Sequence, residues 1–222
     1  MISGSGHPLA YPVLTTIGAL VICLAWAPFA DAEQLAMLGA VALVVLVYSA
    51  FRLMVASGVL PWHTDPGIPG NVPGCRRIRQ QHRLLSRSWL ELSAGDRTRW
   101  LPVYFDPMLV TATDSTAEFR DGTVYLDNVR LYPSGPVRDR EPVGRLHDNP
   151  TRPDPDGPAH AADAARFTRR LLLDGQFVVA APFAALLWVY VVGGGFPGFA
   201  AGATVAAGVA VWFSAIRGSD PS

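Results

Sequence analysis

Asp174 and Gln176 stand in RRLLLDGQFVVAAPFAALLWVYVV, residues 169 to 192, a run otherwise apolar enough for a membrane. A carboxylate inside a bilayer is costly and by default marks a proton or ion path, so a polar path bordered by Asp174, Gln176 and Pro182 is the first chemistry to consider. Depth decides between that path and a plainer role. Asp174 lies about one helical turn in from Arg170, on the same helix face. It is therefore expected near the interface, hydrated, with Arg170 as a partner. No other apolar run supplies a midplane acid, Arg or His, which weakens an ion relay.

The remaining polar residues offer little local chemistry. The chain has no Lys, which excludes a Walker phosphate loop and a Schiff-base enzyme, and it carries no HExxH, GxSxG or CxxC motif. The acid pairs Asp114/Glu118 and Asp121/Asp127 fall in turns and strands, where acids are commonplace. His63/Asp65, His147/Asp148 and His160/Asp163 lack a metal-binding spacing, and the DPDG at Asp154 lacks the later acids of a calcium loop. Gly193, Gly195 and Gly198 match GxGxxG, but they join two apolar runs rather than a strand and a helix, so they read as a turn. Cys23 and Cys75 read as separate thiols. No metal or cofactor is expected.

These residues must be positioned by a chain that is half hydrophobic, with the apolar residues clumped. A bilayer core of roughly 30 Å needs about 20 apolar helical residues. Four runs qualify, at about 12–29, 35–55, 171–192 and 196–216. All 18 basic residues are Arg; 17 lie between Arg52 and Arg170, and Arg217 follows the fourth run. The links ADAEQ and GGGFPG carry none. Basic residues stay on the cytoplasmic side, so both termini and the central segment are expected in the cytoplasm. The all-Arg usage suggests a GC-rich bacterial source and hence a plasma (inner) membrane. Ala30-Asp31-Ala32 resembles a signal-peptidase site, but residues 1 to 11 lack the basic start of a signal peptide.

The fold expected is an α-helical multipass membrane protein, four transmembrane helices in two hairpins with an inserted cytoplasmic β-rich module. Hairpin 1 covers 1–57, a Pro/Gly-rich linker 58–75, and an Arg-rich helix plus β module 76–133. A flexible Pro/Asp/Arg linker at 134–165 follows, because so few large apolar residues cannot offset ordering entropy. Hairpin 2 covers 166–217 and a cytoplasmic tail 218–222. Within CRRIRQQHRLLSRSW, the spacing of Arg76, Arg79, Arg83 and Arg87 predicts a helical stripe that either touches anionic lipid, each residue contributing ~1 kcal/mol, or is a solvated face that only fixes topology. Strands are expected at SWLEL, RTRWLPVYF, MLVTAT, AEFR and TVYLDNVRLY, with turns at Ala94-Gly95-Asp96 and Asp106-Pro107 and a hairpin at Asp121-Gly122.

Three functions follow, in order of expectation. The first is a non-enzymatic accessory or scaffold protein, its module docking a partner through Trp89, Trp100, Tyr104 and Tyr125 where these are exposed, because aromatic residues and Arg often dominate binding; the alternative for the same four is a place in the core. Gly198, Gly202, Ala206, Ala210 and Ser214 form a small-residue row on the fourth run, suited to close helix packing within the chain or in a homo-oligomer. The second is a transporter or channel subunit using the Asp174 path. The third is a membrane enzyme acting on lipid-linked substrates. Nucleic-acid binding is not expected, because Asp and Glu are interleaved with the Arg residues beside a membrane.

Overall fold

Ala, Val, Leu and Gly dominate the four apolar runs, and a helix satisfies their backbone hydrogen bonds without water. The computed structural model describes residues 6–60, 62–67, 71–95, 97–113, 115–120, 123–149 and 154–222, the side chains of 71 and 73 excepted. In chain order the elements are α1 (Ala10–Trp26), α2 (Ala32–Ala56), β1 (Asn71–His82), β2 (Leu85–Ala94), β3 (Arg97–Val103), α3 (Met108–Thr111), β4 (Ser115–Arg120), β5 (Thr123–Leu126), β6 (Val129–Leu131) and β7 (Arg145–Asp148). Then come α4 (Gly157–Ala164), α5 (Phe167–Asp174), α6 (Ala181–Val192) and α7 (Gly195–Ile216). Four helical stretches, at 10–29, 32–56, 167–192 and 195–216, are long and apolar enough to cross a membrane. Two compact units result. A sheet unit comprises Met1–Ala10, Phe51–Arg170 and Arg217–Ser222; a helical unit comprises Tyr11–Ala50 and Leu171–Ile216.

In the helical unit, Leu24, Val44, Leu172, Leu186 and Tyr190 are all exposed, whereas Thr15, Thr16, Ser49, Asp174 and Ser214 are buried. An apolar outside over a partly polar inside is the reverse of a water-facing bundle, and suits a hydrocarbon surround. The third stretch is broken: α5 stops at Asp174, and a 3-10 segment (Gly175–Ala180) leads into α6, with Pro182 in its first turn. Gly193, Gly194 and Gly195 all have positive φ and form the turn between α6 and α7. Within the small-residue row, Gly202 packs on α6, where an added Cβ would lie 3.4 Å from the Ala185 Cα. Further along α7, a Cβ on Gly208 would come within 2.6 Å of Ile22 on α1. At these positions α7 finds its neighbours in its own chain.

The sheet unit is antiparallel in the order β3-β2-β1-β4-β5-β6, with β7 also paired to β1. The long β1 pairs β2 along one edge from Cys75 to His82; its other edge takes β4 near its start and β7 near its end. Leu90, Leu92, Leu101, Val103, Val124 and Leu126 face a single core that Leu109 of α3 closes.

Several expectations are corrected here. The Arg-rich helix is absent: residues 76–87 form the β1–β2 hairpin. Its turn is Arg83-Leu84, with Arg83 at φ +57°, a left-handed position that ordinarily calls for Gly or Asn. MLVTAT is not a strand; Asp106 Oδ1 accepts the Met108 N–H and starts the short helix α3. TVYLDNVRLY is two strands, split at Asp127-Asn128, both of positive φ. The 58–75 linker ends earlier than expected, since β1 begins at Asn71 and shifts register between Val72 and Cys75. The 134–165 linker is ordered where described: Arg138 exchanges backbone bonds with Trp100, β7 joins β1, and α4 follows. Sheet-edge hydrogen bonds replace the large apolar side chains that this segment lacks. Residues 150–153 lie outside the described residues, as do Asp96, Asp114 and the Asp121-Gly122 hairpin turn, although Arg120 and Thr123 beside that turn are paired.

Gly144 (φ +117°) permits the loop before β7 to reach β1: a Cβ there would lie 2.7 Å from the Gln81 carbonyl oxygen and 2.9 Å from the His82 Cβ. Gly144→Ala is therefore expected to destabilise the sheet unit by about 1–3 kcal/mol. Gly67→Ala, at φ +64° in open space, is the control for backbone strain alone. Thermal unfolding monitored by tryptophan fluorescence measures both, and equal melting points would contradict the close-approach role.

Candidate functional site

Asp174 ends α5 where the helix tightens, and its side chain turns into the helical unit with only 4 % of the residue exposed. Tyr11 Oη donates to one carboxylate oxygen at 2.7 Å, and Ser214 Oγ donates to the other at 2.7 Å. A second cluster is joined by Ser49, whose Oγ lies 3.1 Å from Thr16 Oγ1 and accepts from Trp212 Nε1 at 2.8 Å. Thr15 and Thr16 return their hydroxyls to the Pro12 carbonyl. Thus α1, α2, α5 and α7 all contribute to polar contacts between helices, which a low-dielectric surround makes stronger and costlier to break.

Asp174 is consequently buried and hydrogen-bonded within the helical unit rather than hydrated as expected. Gln176 is exposed and is not brought to it. The sequence could not show this burial, because the hydroxyls come from residues 163 and 40 positions away. Among the described residues of this unit, the buried polar side chains are Thr15, Thr16, Ser49, Asp174 and Ser214. A separate apolar pocket of about 430 Å³ is lined by Trp26, Phe29, Met37, Trp188 and Gly202, among others, with Gln34 at its wall.

In the sheet unit the strongest polar constellation centres on Arg77. It lies on the same face of β1 as Cys75, opposite Leu90 of β2, and is 4 % exposed. Its Nη2 donates to Asp220 Oδ2 at 2.6 Å and to Ser222 Oγ at 2.6 Å; Nε reaches Ser88 Oγ at 3.2 Å and Nη1 reaches Asn149 Oδ1 at 3.1 Å. Ser88 Oγ also donates to Asp220 Oδ2 at 2.6 Å. The segment after α7 is thereby fastened to the sheet, and the Asp220 N–H donates to the Ser86 carbonyl. Burial alone would raise the Asp220 carboxyl, but Arg77, Ser88 and Ser222 more than offset it and hold it below its ordinary value. Asp106 behaves oppositely: burial pushes it up, against the Met108 N–H and His7. Burial, with Asp127 and Glu91, pushes the Cys75 thiol up to about 12, so it is an inert core thiol rather than a nucleophile.

Beside Arg77 lies a polar pocket of about 200 Å³ whose walls include Arg79, Thr113, His147, Asp148, Asn149 and Asp154. Asn149 Nδ2 donates to the carbonyls of Leu109 and Ala112, at 2.6 Å each, and fixes the end of α3 as one wall.

The expected lipid-contact stripe is dispersed. Arg76 pairs with Glu91 at 2.6 Å, Arg79 bonds Ser86 at 3.1 Å, Arg83 is exposed in the turn, and Arg87 is buried. A strand sends alternate residues to opposite faces, so helical spacing lines up nothing here. Among the aromatic docking candidates, Trp89 and Tyr104 are core residues, each 1 % exposed. Trp89 donates to Gln80 Oε1 at 2.8 Å, beneath the Arg138 guanidinium. Trp100 and Tyr125 are half-buried. Asp154 accepts the Asp156 N–H, closing a turn, and His160 lies 3.4 Å from it. Among the described residues no group of His, Cys, Asp and Glu converges as a metal site. Sequence reasoning missed Arg77, Ser88, Asn149 and Asp220, since a single acid in RGSDPS carries no pattern. No family model, curated protein or solved structure matches the chain.

Two predictions follow from these contacts. Asp220→Ala strands a buried guanidinium and is expected to cost about 3–5 kcal/mol. Because the Asp220 carboxyl is depressed in the folded state, its contribution is complete above an unfolded value of about 3.9 and lost as pH falls through the lower folded value. Asp106, raised by burial, acts with the opposite sign. Chemical denaturation across the acid range should show Asp220→Asn flattening the loss at low pH; an unaltered profile would contradict the pairing. In the helical unit, Asp174→Leu leaves two buried hydroxyls without their acceptor and is expected to cost about 1–3 kcal/mol. Asp174→Asn, which keeps an acceptor, should cost less in a detergent melting series; equal melting of wild type and Asp174→Leu would oppose the role.

Proposed function

We propose that the protein is a non-enzymatic multipass scaffold of a bacterial plasma membrane, with both termini and the sheet unit in the cytoplasm. The four long apolar helices and the absence of Arg from the two short links support that orientation. Two buried carboxylates are engaged in holding structure: Asp174 by Tyr11 and Ser214, Asp220 by Arg77 and Ser88. The sheet unit supplies the docking surface, and the β1–β2 turn carries the assignment. Leu84 is 52 % and Val143 65 % exposed, and Gly144 holds Val143 beside Gln81 and His82. Arg83 and Arg145 are exposed there, and neither has a carboxylate partner among the described residues. Apolar side chains flanked by free arginines fit an acidic protein segment.

A photo-crosslinking residue in place of Leu84, used in native membranes, tests this. A discrete protein adduct that Arg83→Glu with Arg145→Glu abolishes is expected, with none from the same residue at Val129. A lipid-only adduct, or a protein adduct indifferent to charge reversal, would refute the docking surface. A transporter or channel subunit is the second reading, favoured by the burial of Asp174 in the helical unit. Ion or proton flux in proteoliposomes that Asp174→Asn abolishes would establish it; flux unchanged by Asp174→Asn would remove the acid from any path.

A further inference from the structure

Independently of the scaffold reading, we infer that the 200 Å³ pocket of the sheet unit binds a single phosphoryl-type oxyanion. Arg77 lines this pocket with its charge met by Asp220, so it forms a wall rather than a free cation. Arg79 differs. It is half-buried and held through Nε by Ser86 Oγ at 3.1 Å, and its two terminal nitrogens, with four N–H donors between them, make no bond among the described residues. His147 is the register partner of Arg79 across the β1–β7 pairing, and its ring makes no hydrogen bond among the described residues. Thr113 also lines the pocket, and its hydroxyl makes no hydrogen bond among the described residues.

Two acids line the same space, and each has a neighbour outside the set of unused donors. Asp148 lies 3.5 Å from Arg76; Asp154 accepts the Asp156 N–H through one oxygen and faces His160 through the other. One pocket is therefore lined by residues that carry a free guanidinium edge, an imidazole and a hydroxyl. A planar guanidinium with free terminal nitrogens matches two oxygens of a tetrahedral anion, and imidazole and hydroxyl suit a third. Size narrows the class: most small-molecule sites enclose about 300–1,000 Å³, so this one suits a lone phosphoryl group, not a nucleotide. That group has two sources, free phosphate and the monoester headgroup of phosphatidate.

The full chain in nanodiscs of zwitterionic lipid separates them, with the His147 ring resonance as reporter. Titration with inorganic phosphate is expected to shift that resonance saturably, while chloride at equal ionic strength does not, which assigns the free anion. A shift only when phosphatidate is added to the nanodisc assigns the headgroup. Arg79→Gln is expected to weaken either response at least tenfold. Should that variant melt early, His147→Gln at an exposed position decides by calorimetry, with severalfold weaker binding expected. No shift from either source, or undiminished binding in the folded variants, overturns the site.

Discussion

The buried ion pair between Arg77 and Asp220 is the contact on which the sheet unit depends. A guanidinium placed 4 % exposed on the core side of β1 is untenable unless a carboxylate reaches it, and the carboxylate comes from 143 residues away. That distance in sequence makes the last described residues part of the sheet rather than a tail. Ser219 bridges Arg87, Asp220 bonds Ser86 and Ser88, and Arg169 donates to the Pro221 carbonyl. The unit is therefore assembled from three separate stretches of chain, and it is complete only after α7 has been made.

The helical unit obeys the same rule. Its outer face is apolar, so its few polar groups must find one another inside. Tyr11, Ser214 and Asp174 do so, as do Thr16, Ser49 and Trp212. Hydroxyl hydrogen bonds and small residues mark where these helices meet, at Tyr11, Ser49, Gly202, Gly208 and Ser214. A single carboxylate thus need not indicate transport. Tyr11 and Ser214 engage both of its oxygens, which is what a packing role requires.

Much of this architecture is legible in the sequence, and the exceptions share a cause. Four apolar runs of sufficient length yield the four long helices within a few residues, since length and composition are local properties. Strands at Trp89, Leu101, Phe119 and Val124 are readable from their β-branched and aromatic residues. The Arg-rich hairpin was not readable, because its turn lacks Gly and Asn and because Arg77, which looks solvent-facing, is covered by Asp220. Likewise the Pro/Asp/Arg stretch from Ser134 onward looked unable to fold, since its order comes from backbone bonds to Trp100 and β1. Asp174 looked wet for the same reason, its donors being remote. Trp89 and Tyr104 had the composition of a docking surface and the positions of a core.

Hydrogen exchange of the backbone amides at Ser219–Ser222, read by mass spectrometry on the full chain, tests the central claim most directly. If Arg77–Asp220 makes this segment part of the sheet, the Asp220 and Ser222 amides exchange slowly, in step with those of β2, and Arg77→Met releases them. Exchange at the rate of a free peptide in the unaltered protein would contradict the account.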